Sequence, residues 1–101
     1  MEVRVCRLDE LPRDAITARE VDSRLLALAR RGDQVFAFFN ACPHKGGPLC
    51  DGKLSIERGE IICPWHFFRF DLGTGRSVTN AAMQARTVPV TIRDGEVFVA
   101  L

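Results

Sequence analysis

The 101-residue chain is short of charge of one sign, of long apolar runs and of histidine, and each shortage excludes something. With 14 lysines and arginines against 13 acidic residues the net charge is only +1, too even a balance to grip nucleic acid electrostatically. The longest apolar runs, such as Val35 to Phe39, fall far short of the roughly 20 residues that cross a bilayer. The opening stretch MEVRVCRLDELP carries no apolar leader core, so the reading is a soluble, cytoplasmic chain. Helix signals are scarce as well: only Asp9 to Ala15 could make a helical turn, and Pro12 keeps it short. No internal repeat, linker or low-complexity segment interrupts the chain, and its length argues a single domain over 1–101. A domain of this size buries only about two-thirds of its unfolded surface. A ligand that cross-links distant loops would therefore add usefully to its stability.

What is present is strand pattern. EVRVCRL alternates near the start, and RLLALAR and QVFAFFN flank Arg31-Gly32-Asp33, a turn signal that predicts a hairpin. EIICP and FFRFD follow, then the turn LGTG at 72–75. RTVPVTI and EVFVAL flank Asp94-Gly95, the strongest short hairpin signal in the chain, and Pro89 within the first of these predicts an edge position or a bulge. The fold class is all-β, a small sandwich or barrel of antiparallel strands.

The two histidines both lie beside a cysteine, as Cys42-x-His44 and Cys63-x-x-His66, on two loops where strand patterns stop. Four cysteines could form two disulfides, but with no export signal and two of them spaced to histidines, metal binding is the better reading. Cys6 and Cys50 then remain as free thiols, each read as buried and inert. Thiolates and imidazoles in equal number suit either zinc, as in a structural zinc-binding module, or an iron-sulfur cluster with mixed ligation. Zinc fingers usually take two cysteines from one knuckle and two histidines from a helix. Here each loop supplies one of each, an arrangement that suits a two-iron object without excluding a single zinc ion.

The pairs CPH and CPWH, with GGPL after the first, make the chain resemble the Rieske family, whose pattern is CxH…CxxH. The resemblance extends over the whole chain, from LDELP through both loops, at about 42–50 and 63–70, and FDLGTG to TVPVTIRDGEVFVAL. It implies a [2Fe-2S] cluster with Cys42 and Cys63 on the inner iron and His44 and His66 on the outer iron near the surface. Neutral imidazoles leave the cluster less negative than four thiolates would, which makes reduction easier. Other members carry two further cysteines that tie the loops together; their places here are Gly47 and Trp65, so that link is absent and the soluble, low-potential type is implied. High-potential members place a serine and a tyrosine where this chain has Phe68 and Phe70, which cannot donate hydrogen bonds to sulfur. Phe67 departs from the glycine common after the second histidine. Trp65 reads either as packing under the loop or as a partly exposed partner contact, and Pro43, Leu49, Pro64 and Trp65 are expected to rim the histidines.

The family's oxygenases add a mononuclear iron held by two histidines and a carboxylate. This chain has no third histidine for such a site. The resemblance therefore implies a one-electron carrier with no substrate site of its own, reduced by a flavin-dependent NAD(P)H reductase and oxidised by a terminal oxygenase. The runner-up is a small electron-transfer subunit of a nitrite reductase-like enzyme. No nucleic acid or membrane partner is expected.

Overall fold

The computed structural model describes all residues except 66 and 81. The described residues form ten strands and no α-helix: β1 (Glu2–Arg7), β2 (Ala15–Val21), β3 (Arg24–Arg31), β4 (Gln34–Phe39), β5 (Lys53–Ser55), β6 (Glu60–Ile62), β7 (Arg69–Asp71), β8 (Thr87–Val88), β9 (Val90–Arg93) and β10 (Glu96–Ala100). They make three antiparallel sheets, in the orders β1-β10-β9, β2-β3-β4-β8 and β5-β6-β7. No helix among the described residues is long and apolar enough to cross a membrane.

The middle sheet is the wall between two cores, and the two-residue period of β3 is the reason. Leu26 and Leu28 point into one core, with Val35, Ala37, Val97 and Val99. Ala27 and Ala29 point to the other side, toward Cys42, Leu49, Ile61, Cys63 and Phe70. Small residues on that face face large ones across the ladder, as Ala27 with Phe38 and Ala29 with Phe36, while Leu28 sits opposite Ala37. Such alternation fills both sides of one strand pair without overpacking either. Phe70, Leu49 and Ile61 are each fully buried beneath the loops that carry the Cys/His pairs, and burial of each is worth about 1.5–3 kcal/mol.

The predicted hairpins at Arg31-Gly32-Asp33 and Asp94-Gly95 are formed, as β3–β4 and β9–β10, with both turn glycines at positive φ. Pro89 marks a change of sheet. Thr87 and Val88 pair with β4, whereas Val90 to Arg93 pair with β10, and both short strands lie at sheet edges. In β1 the register slips between Arg4 and Cys6, a bulge that the plain alternation of EVRVCRL conceals.

One expectation is corrected, and one strand goes unannounced by the sequence pattern. The turn read over Asp9 to Ala15 is a single 3-10 turn at Leu8–Glu10, closed where Arg7 N–H donates to Glu10 Oε1 at 2.7 Å. Residues 15–21 instead form β2, paired along its length with β3. Its turn is Asp22-Ser23, both left-handed at φ 50° and 66°, and that turn contains no glycine to announce it. The buried Arg30 clamps the 3-10 turn, donating to the carbonyls of Leu8 at 3.1 Å and Leu11 at 2.8 Å.

Candidate metal centre

The first loop leaves β4 and folds tightly on itself. Cys42 N–H donates to Gly47 O at 2.9 Å, and Gly46 N–H donates back to Cys42 O at 2.7 Å. Gly46, at φ 73°, supplies the left-handed residue that this closure needs. Beyond it Leu49–Asp51 makes a 3-10 turn whose Leu49 drops into the core, while Asn40 Oδ1 accepts the Cys50 N–H at 2.7 Å. The second loop joins β6 to β7 and is closed by Cys63 N–H donating to Phe68 O at 2.8 Å.

Closure of both loops brings Cys42 and Cys63 together. Their side chains are 2% and 0% exposed and lie in one buried cluster, and Trp65 N–H points at Cys63 Sγ from 3.4 Å. Burial pushes the Cys63 thiol up to about 11; the neighbouring Cys42 adds to this, and the Trp65 N–H works against it. His44 is half-buried, its imidazole stacked on the Phe68 ring with centroids 4.4 Å apart and planes 24° from parallel. His66 lies outside the described residues. No three His, Cys, Asp or Glu side chains converge on one point among the described residues. The thiols meet, and the His44 ring of the first loop packs on Phe68 of the second.

The donor chemistry fits an iron-sulfur cluster, and the loops pack closely around the thiols. Gly47 has no room for a side chain: a Cβ there would lie 2.9 Å from Cys63 Sγ and 3.0 Å from the Trp65 ring. The thiols are soft donors held out of water, and the imidazole is a neutral donor at the margin, the mixed set an iron-sulfur cluster takes.

Residues 1–93 match the family model of the Rieske [2Fe-2S] domain. The chain belongs to the Rieske family. It is 35% identical over 95 residues to the ferredoxin component of the naphthalene 1,2-dioxygenase system of Pseudomonas aeruginosa, covering 93% of this chain and 89% of the relative. The structure of the ferredoxin of carbazole 1,9a-dioxygenase from Nocardioides aromaticivorans IC177 superposes with a TM-score of 0.91 at 36% identity, over 99% of this chain and 97% of that one. A complex of reduced oxygenase and oxidized ferredoxin in carbazole 1,9a-dioxygenase matches at a TM-score of 0.85 and 29% identity, over 98% of this chain and 92% of that one. Likeness across nearly whole lengths makes this Rieske protein a ferredoxin-type electron carrier.

Some expectations for this Rieske domain are met and others are corrected. Trp65 is 48% exposed, so it is not a packing residue under the loop, yet one edge of its ring is braced against Gly47. Gly47 and Trp65, the two places where other members carry linking cysteines, are indeed neighbours across the loops. Leu49 is no part of an exposed rim, since it is fully buried; the 3-10 turn after Pro48 rotates it inward. Cys6 is buried as expected, but Cys50 is only half-buried, its thiol 3.8 Å from Asp51 Oδ1. Phe67 takes a left-handed backbone, φ 58°, which explains why glycine suits that position.

Proposed function

We propose that the chain, as one Rieske domain over 1–101, carries single electrons from a flavin-dependent NAD(P)H reductase to a terminal oxygenase, in a cytoplasmic multicomponent system. Cys42 and Cys63 are assigned to the inner iron of the cluster, His44 and His66 to the outer. The observation that carries the assignment is the buried meeting of two thiols, one from each loop, with His44 of the first loop stacked on Phe68 of the second, which gathers soft and imidazole donors from both loops at one place. The ferredoxin seen in complex with the carbazole 1,9a-dioxygenase oxygenase supports an oxygenase as the acceptor.

When bound, the cluster supplies a one-electron couple whose charge changes by one unit. The chain's own residues prepare for that change. Leu49, Ile61 and Phe70 exclude water from beneath the thiols. Trp65 N–H aims a donor at Cys63 sulfur, an interaction that favours the more negative state. Phe68 holds the His44 ring in one orientation, and its carbonyl pins the Cys63 backbone.

The test is iron and acid-labile sulfide content, with EPR after dithionite, across six variants. Cys42→Ser, Cys63→Ser, His44→Ala and His66→Ala should lose the native cluster, and Cys6→Ser and Cys50→Ser should keep it. A colourless wild-type protein with stoichiometric zinc would sink the proposal.

A further inference from the structure

Five non-glycine residues among those described have a left-handed backbone: Asp14, Asp22, Ser23, Phe67 and Asp94. Four carry short polar side chains that enter this region readily by bonding locally. Phe67 is the exception, a bulky ring with no such compensation, and it is also 71% exposed. Both the strained backbone and the exposed ring are unfavourable for the chain alone. Strain of this kind persists at sites where it serves a purpose elsewhere.

The surroundings indicate what that purpose is. Phe67 overhangs a recess of about 110 Å³ lined also by Asp51, Lys53, Ile62, Cys63 and Pro64. Two residues before it, Trp65 presents its free face, braced from behind by Gly47. The chain has 14 basic residues but only two lysines: Lys53 lines the recess, and Lys45 directly follows His44, whose ring stacks on Phe68, the neighbour of Phe67. Both are exposed, and neither makes an ion pair with a described residue, whereas Arg69 nearby is engaged by Glu60. The one carboxylate on the recess, Asp51, lies beside the Cys50 thiol.

We infer that Phe67 and Trp65 are an aromatic anchor, and Lys45 and Lys53 its cationic flanks, for docking an acceptor protein whose face is an apolar cleft bordered by carboxylates. The inference rests on the carrier reading above and specifies the partner's chemistry. An exposed aromatic braced as Trp65 is by Gly47 loses little freedom on binding, and the large exposed ring of Phe67 beside it supplies apolar area, which together make an anchor. Unpaired lysines beside them speed encounter with an acidic face despite the near-zero net charge.

The probe is the oxygenase of the carbazole 1,9a-dioxygenase system of Nocardioides aromaticivorans IC177, whose own ferredoxin is 36% identical to this chain. Binding of the cluster-loaded protein is measured at low and high salt, alongside its melting temperature. Phe67→Gly should weaken binding about tenfold or more, as loss of an anchor does, without lowering the melting temperature, because glycine relieves the left-handed strain. A ring that mattered only for folding would give the opposite pair of signs. Lys45→Glu with Lys53→Glu should cost about tenfold at low salt and progressively less as salt is added. Arg93→Glu, on β9 in the sheet without the loops, controls for net charge and should change binding less than about twofold. Absent wild-type binding, or unaltered affinity in Phe67→Gly and the double lysine variant with EPR-intact clusters, would overturn the docking surface and leave the carrier reading standing. A chain that takes up no iron would overturn both.

Discussion

Gly47→Ala adds a single methyl group at the most crowded point of the site. Its Cβ would stand 2.9 Å from Cys63 Sγ, and 3.0 and 3.1 Å from two atoms of the Trp65 ring. Ordinary nonbonded contacts are about 3.5–4.0 Å, so roughly 0.5–1 Å of clearance must be found. The Gly47 backbone itself is not left-handed and accepts alanine. Trp65 can swing, being half-exposed; Cys63 cannot, being fully buried with its N–H fixed to Phe68 O at 2.8 Å. If the Gly47 backbone retreats instead, it draws Cys42 with it through the 2.9 Å bond to Gly47 O. Either movement separates or reorients the two thiols. Overpacking of this kind costs about 1–3 kcal/mol. For a domain of about 100 residues that is a fall in melting temperature of roughly 4–24 °C. If the cost falls on the loaded form, cluster affinity drops about tenfold per 1.4 kcal/mol. Adding Trp65→Ala relieves the ring contact but not the sulfur contact, so the double variant should regain stability and stay deficient in iron. The assays are thermal melting and iron and sulfide per chain. Full loading of Gly47→Ala with a melting temperature within about 2 °C of wild type would refute the reasoning, since the predicted change is larger than that.

Phe68→Ser exchanges the ring stacked on His44 for a hydroxyl donor beside the loop, so the midpoint potential should rise by about 50 mV for a bond worth roughly 1 kcal/mol, while thermal stability falls. Voltammetry with EPR confirmation checks it, and an unchanged or lower midpoint in an intact variant would count against it. Alkylation of the cluster-loaded protein at pH 8 should modify Cys50 and spare Cys6, because burial raises the Cys6 thiol above its ordinary range and keeps reagent out. Peptide mapping reads the difference, and equal modification of both before unfolding would contradict it.

The parts of this molecule that the sequence determined by itself are those in which a few adjacent residues dictate geometry. Gly32 and Gly95 force tight turns, so the β3–β4 and β9–β10 hairpins are legible at once. The spacings Cys42-x-His44 and Cys63-x-x-His66 put thiol and imidazole on each loop whatever the rest of the fold does, and the family with its cofactor follows from them. Strand β2 was not legible, because its turn uses Asp22-Ser23 and its partner β3 supplies the order that its own edge-strand pattern lacks.

Tertiary structure alone decided which side chains point where on the loops. Leu49 and Trp65 are both large, apolar residues near a proline, yet one is fully buried and the other 48% exposed. The difference comes from the 3-10 turn that rotates Leu49 under Ala27 and Ala29, and from Gly47, which stops the indole from sinking further. Cys42 and Cys63 likewise meet only because two loops close by short backbone hydrogen bonds and pack on one face of β3. Contacts between residues far apart in the chain depend on how whole sheets stack, and no local propensity encodes them.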